Sequence, residues 1–323
     1  MNKLMKITAA AGVGVMLATA SFAETLKLSH SYEPSTAHNI WADWAAAEIE
    51  KRTDGRHTVN VFPSSQLGNE RDVEEGLTNG VVDIGFVGPG HLAQRYKPIS
   101  IHLAAFLWRD LDHFKAYPTS KTYKEVTKGY EDASGNHISS LTYYGSRHVT
   151  ANKPLMKPDD FVGLKMRVPP VPIYMVFPDA VGANSTPVNF AELYLALQQG
   201  LVVAQENPLP TIQGKKFYEV QSDIMLTGHM TDGYYTIVGG PTWAKLSADD
   251  QKIIDAVLQE AAAGASTDIE QSEKDLVGWF EEKGINVHEV DRSAFLEIVK
   301  PKILTGDWPW RKDQIEELLA LGK

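Results

Sequence analysis

Among the 323 residues there is not one cysteine. That removes disulfide scaffolds, thiolate nucleophiles, Cys-based zinc sites and iron–sulfur clusters together. Positive charge is also scarce: 31 Lys and Arg against 41 Asp and Glu give a formal net charge of −10. Wrapping a nucleic-acid backbone takes a basic patch or stripe, so a nucleic-acid partner is excluded. At first sight the same deficit argues against an anionic ligand. Catalytic and nucleotide signatures are missing too, with no H-E-x-x-H, no G-x-S-x-G and no G-x-x-x-x-G-K-[ST]. Gly85-Phe86-Val87-Gly88-Pro89-Gly90 is glycine-rich but lacks the G-x-G-x-x-G order. Pro89 also removes an amide that a phosphate cradle would use. The ten histidines are scattered, and Asp110, Asp112 and His113 fall in a polar turn after Trp108. No metal, cofactor or catalytic residue is expected. After the N-terminal segment no run reaches 18 apolar residues, whereas a membrane-spanning helix needs about 20.

What is present is an ordinary globular composition, 43% hydrophobic and 22% charged. At roughly 100–200 residues per domain, the length suits two domains or one large one. The chain begins with the basic Met1–Lys6, an apolar run from Ile7 to Ala20, and Ser21-Phe22-Ala23. That is the order of a secretory signal peptide, with cleavage expected after Ala23. Removing those 23 residues from 323 leaves 300, and the loss of Lys3 and Lys6 takes the charge to −12. Export without a cysteine to carry a lipid anchor predicts a soluble protein held in the periplasm.

Leu26–Leu28 reads as a short strand, and Trp41, Trp44, Ala45 and Ile49 have helical spacing that stops at Gly55. His57–Phe62 alternates, Asn69–Asn79 suits a helix, and Val81–Phe86 is a nearly continuous apolar strand. Strand–helix–strand rhythm predicts an α/β fold with parallel sheet. A second α/β series starts near Leu141, and in Gly163–Val168 the alternation sets Lys165 and Arg167 opposite Leu164, Met166 and Val168. Ser247 and Asp250 form a capping start, followed by an apolar stripe that Gly284 ends. Unbroken, a helix over Ser247–Lys283 spans some 54 Å at about 1.5 Å per residue, more than one small domain. It must lie across two lobes, and a cleft between lobes is a preferred place for a ligand.

Two arginines stand out. Arg147 follows the strand that opens the second half, and Arg167 lies on the polar face of an otherwise apolar strand. Each alone could be simply solvated. Entering one cleft together, they would make a carboxylate clamp, because a planar guanidinium presents paired N–H donors to two oxygens. Asn207, before Pro208, could add a directional amide contact, and Phe190 could wall the ligand.

Several ordered motifs then resemble a known family. They are Gly163-Leu164-Lys165-Met166-Arg167-Val168-Pro169, Gly182–Pro187, Glu192–Gly200, Gln205-Glu206-Asn207-Pro208 and Lys216–Gln221, with Pro63–Gly68 upstream. In this order they resemble the extracytoplasmic solute receptors of tripartite ATP-independent periplasmic (TRAP) transporters, over essentially all of 24–323. The resemblance implies a two-lobed, Venus-flytrap binding protein with a long lobe-spanning helix. It would close on an organic acid and deliver it to a membrane permease. It implies Arg167 as principal carboxylate-binding residue, Arg147 as a second, Asn207 as a ligand contact and Phe190 as a pocket wall. His30, Asn69, Glu70 and Arg71 are candidates for polar contacts to ligand hydroxyls. Lobe boundaries are expected at 24–144 plus 233–272 and 145–232 plus 273–323, in a monomer without enzymatic activity. Sialic-acid receptors carry an acidic residue where this chain has Val87-Gly88-Pro89-Gly90, which points away from sialic acid. A sugar acid such as a hexuronate or aldonate is favoured. A dicarboxylate, aromatic acid or sulfonate is the alternative, and a cleft enzyme acting on an organic acid is the alternative of another class.

Overall fold

Nine strands form one mixed sheet in a computed structural model that describes residues 24–322. The expected leader, residues 1–23, lies outside the described residues. In chain order the strands are β1 Glu24–Ser29, β2 His57–Phe62, β3 Ile84–Val87, β4 His137–Ala151 and β5 Lys165–Val168, then β6 Asn184–Pro187, β7 Ala204–Pro208, β8 Asp223–Val238 and β9 Asn286–His288. Their order across the sheet is β2-β1-β3-β8-β4-β7-β5-β6, with β9 beside β8. The strand–helix–strand rhythm gives parallel pairing within each half, β1 with β2 and β3, and β5 with β6 and β7. Helices Ala37–Arg52 and Glu70–Asn79 connect the first three strands. β3 starts later than the apolar run suggests. Gly80 ends the helix in the left-handed region, and the amides of Val81 and Val82 still bond back to the Gly76 carbonyl. Val81 is therefore in the turn and exposed.

The two halves are joined by β4 and β8, which are 15 and 16 residues long and antiparallel. The start of β4 pairs with the end of β8 beside β3, while the end of β4 pairs with β7 and with the start of β8. Register shifts fall between Ile138 and Ser140, between Tyr143 and Gly145 and between Arg147 and Val149. Bulges of this kind bend a strand and increase its twist. Gly145 is required there: its φ is +131°, and a Cβ would come 2.5 Å from Pro208 Cβ and 2.8 Å from Glu273 Oε1.

The anticipated long helix is present as Ala248–Glu282, 35 residues, with the Ser247 side chain accepting from the Asp250 amide. It enters three hydrophobic cores in succession. Ile254, Val257 and Leu258 pack with Leu26, Leu28 and Ile49 of the first lobe. Ala265 and Ile269 join a central core with Phe114, Phe161 and Phe177. Leu276 and Phe280 pack with Leu193, Ile212 and Phe217 of the second lobe. At about 1.5–3 kcal/mol per fully buried large side chain, this one helix stabilises both lobes. The chain end returns to the first lobe, where helix Lys312–Ala320 places Glu317 on the amides of Lys121 and Thr122.

His137, the first residue of β4, ties three elements together. Its ring stacks on Trp243 at 3.9 Å, with Nδ1 3.1 Å from Glu131 and Nε2 3.1 Å from Asp255 of the long helix. Burial opposes its charge, but Asp255 and Glu131 outweigh burial and raise its pKa to about 9. A raised folded-state pKa contributes stability that is complete below the unfolded value near 6.5 and is lost as pH rises through about 9. Urea unfolding of the wild type is expected to weaken from pH 6.5 to 10 relative to His137→Gln. After allowance for solvent screening the difference is on the order of 1 kcal/mol. Parallel pH profiles would show that the cluster contributes nothing.

Candidate ligand-binding cleft

The carboxyl ends of parallel strands from both lobes converge on one cleft, as ligand crevices in α/β sheets do. β1 leads to Ser31 and Tyr32, β3 to Gly88, β6 to Asn189 and Phe190, and β7 ends on Asn207 and Pro208. Together with Arg167 of β5, residues from these strand ends line one cleft. Of the residues singled out from sequence, Arg147, Arg167, Asn207, Phe190, Asn69 and Glu70 line it.

Two lie elsewhere. His30 is buried behind Tyr32 with its ring stacked on Phe86 at 5.3 Å, and burial lowers its pKa to about 4, so it is neutral. Arg71 points into solvent and pairs with Glu75 at 3.1 Å. Asn69 faces the cleft but spends its oxygen capping helix Glu70–Asn79 through the amides of Arg71 and Asp72.

The two arginines differ in kind. Arg147 is fully committed to protein partners. Its Nε and one terminal nitrogen hold Glu206 in a bidentate pair, and the other terminal nitrogen donates to Asp232 Oδ2 at 2.9 Å. It also donates to Asn207 Oδ1 at 3.2 Å and lies 4.9 Å from the Tyr174 ring centroid. Burial disfavours its charge, yet Glu206 and Asp232 together hold its pKa well above the ordinary arginine value. Burial likewise disfavours the Glu206 carboxylate, but Arg147, with His229 beyond it, brings that pKa down to about 2. Asp232 goes the other way: burial lifts it to about 6 against the pull of Arg147.

Arg167 is only 1% exposed, and among the described residues its single hydrogen bond runs from Nε to the Val188 carbonyl at 2.9 Å. Its two terminal nitrogens have no protein partner there. Phe190 lies 5.9 Å from the guanidinium, and burial pulls the pKa down to about 10 despite Glu206. Of the two arginines expected to clamp a carboxylate, Arg167 keeps its terminal nitrogens free among the described residues, while Arg147 is held by Glu206 and Asp232. Asn207 is held between Arg147, the Tyr144 hydroxyl and Gln205, which fixes the direction of its amide. At the mouth, Glu33 of the first lobe pairs with Lys215 of the second, whose ammonium lies 4.8 Å from the Phe190 ring centroid.

Sequence reasoning missed Asp232 and the tyrosine lining of Tyr32, Tyr144, Tyr174 and Tyr234. The available signals were an acid inside a largely apolar strand and the adjacency of Tyr144 to Arg147.

A two-lobed α/β protein whose cleft, among the described residues, leaves the terminal nitrogens of a buried arginine unbonded has the build of a solute-binding protein. The chain is a member of the DctP family, bacterial extracellular solute-binding protein family 7, whose profile it matches over residues 28–305. Members are periplasmic receptors that bind small organic acids and work with a TRAP permease. A solute-binding protein of Roseobacter denitrificans is 33% identical over 310 residues, 94% of each chain. Its solved structure with bound L-galactonate has a TM-score of 0.88 at 30% identity, covering 92% of this chain and 99% of that one. The sialic acid-binding periplasmic protein SiaP of Vibrio cholerae is 32% identical over 93% of this chain and 94% of its own. The C4-dicarboxylate-binding periplasmic protein DctP of Shewanella loihica is 30% identical over 81% of this chain and 78% of its own.

The contrast between the arginines is testable by stability alone. Arg147→Ala leaves Glu206 and Asp232 buried without their cation and is expected to cost about 3–5 kcal/mol in urea unfolding. Arg167→Ala removes a desolvated, unpaired charge, so ligand-free stability is expected to stay within about 1 kcal/mol of wild type or to rise. Equal losses in both variants would contradict the assignment.

Proposed function

We propose that this receptor captures a hydroxylated monocarboxylate, a sugar acid such as an aldonate or hexuronate, and releases it to its permease without transforming it. The observation that carries the reading is the bare guanidinium of Arg167, buried with both terminal nitrogens unbonded among the described residues. One carboxylate would satisfy it bidentately. In this reading Asn207 and Phe190 orient and wall the acid end, and Asn69 and Glu70 meet the remainder. Arg147 acts through Asn207 and Asp232 as a positioning residue. Relatives that bind L-galactonate and sialic acid support a polyhydroxylated acid.

The same proposal has the leader 1–23 removed on export, leaving a soluble, unanchored monomer that binds no nucleic acid. Its lobes are 24–144 plus 233–272 and 145–232 plus 273–323. The returning helix Lys312–Ala320 serves as a strap from the second lobe onto the first.

Native mass spectrometry of the purified protein, followed by thermal shift against sugar acids, dicarboxylates and sulfonates, tests the class. For Arg167→Ala, losing one partner of a buried charged pair costs about 2–5 kcal/mol. That corresponds to affinity roughly 30- to 4000-fold weaker by calorimetry. A loss below about threefold would place the clamp elsewhere, and any turnover of the bound acid would end the receptor-only reading.

A further inference from the structure

We infer that Glu70 and Asp232 turn the cleft surface they share with Arg167 into a filter that accepts hydroxyl donors and rejects a second carboxylate. This rests on the receptor reading above and assigns the residues that would hold it to one carboxylate. Membership of the family leaves the point open, because relatives bind sugar acids and C4-dicarboxylates alike.

Glu70, the first residue of helix Glu70–Asn79, and Arg167 of β5 both line the cleft. Glu70 Oε2 accepts from the Gly88 amide at 2.6 Å, which fixes the carboxylate against the wall. Gly88 leaves the room for it, since a Cβ at that position would come 3.1 Å from Oε2. Among the described residues Oε1 accepts no hydrogen bond, and no Lys, Arg or His side chain forms an ion pair with Glu70. Its neighbour Arg71 is turned outward onto Glu75. Asp232, on the long β8, forms part of the floor. Its Oδ1 accepts from the Gly233 amide at 2.7 Å, and its Oδ2 accepts from Arg147 at 2.9 Å and from the Tyr174 hydroxyl at 3.1 Å.

The charge count then decides between ligand classes. Glu206 and Asp232, two carboxylates, outweigh the single charge of Arg147. Among the described residues, Arg167 is the one Lys or Arg of the cleft lining without a carboxylate partner, and His91 is the other basic side chain there. A monocarboxylate satisfies Arg167. The second carboxylate of a dicarboxylate would meet Glu70 and the surplus charge of Asp232 with no unpaired Lys or Arg beside it. Like-charge juxtaposition of this kind weakens binding by about 100-fold or more. Hydroxyl groups gain from the same wall, because an ionised carboxylate only accepts hydrogen bonds and bonds to it are stronger than neutral ones.

The test is calorimetry at pH 7.5 with C4 to C6 aldonates, each paired with its aldarate, which differs only in a carboxylate at the far end. Succinate completes the set. We expect at least one aldonate to bind about 100-fold or more tightly than its aldarate. Glu70→Gln is expected to narrow that ratio to below about tenfold, and Asp232→Asn to narrow it in the same direction if it folds. An aldarate or succinate that binds as tightly as the aldonates, and is lost in Arg167→Ala, overturns the filter and leaves the receptor reading intact. A ratio unchanged in Glu70→Gln also overturns it. If no acid of the set binds, the sugar-acid reading fails and the filter fails with it.

Discussion

A guanidinium withdrawn from water without a counter-charge is costly, and the geometry around Arg167 is a set of responses to that cost. Its Nε is anchored on a carbonyl, a phenyl ring lies beside it, and the neighbouring Arg147 is neutralised so that two like charges can share a cavity. Glu206 serves both arginines, pairing with one and supporting the charge of the other. The charge left unsatisfied is oriented in advance for a carboxylate, so little conformational freedom remains to be lost on binding. Overall acidity does not oppose this. The −10 is a sum over the whole chain, while an anion in the cleft meets the local field of a single buried cation.

Short-range patterns in the sequence translated well into structure. Alternation in Gly163–Val168 put Arg167 on the side away from Met166, and the stripe after Ser247 became one helix ending a residue from where it was expected. Local chemistry also has limits. Val81 looked like strand because it is apolar, but the amides of Val81 and Val82, just after Gly80, were still closing the helix. Arg71 follows Glu70 directly, yet successive residues on a helix point about 100° apart, so one faces the cleft and the other faces solvent.

Arg147 shows why the electrostatics of the site were harder to read. Its partners Glu206 and Asp232 lie 59 and 85 residues further along the chain, and only the pairing of β4 with β7 and β8 brings the three together. From sequence the resemblance ranked Arg167 first and Arg147 second, but both were expected to bind the carboxylate. The sheet register decides that one is balanced and the other free. The same register brings Asp232 under the cavity, where no local motif announces it.

The elements that join the lobes also limit how such a receptor can be altered. β4 and β8 run through both halves of the sheet, the long helix packs into three cores along it, and the last helix closes back onto the amides of Lys121 and Thr122. A chimera that took one lobe from a relative would sever two strands and a helix in their middles and break the cores they share. Recombination is therefore a poor route to a new specificity in this architecture. Substitution at single cleft positions is the open one: even a methyl gained at Gly88 would come 3.1 Å from the Glu70 carboxylate, which must then give by a few tenths of an ångström.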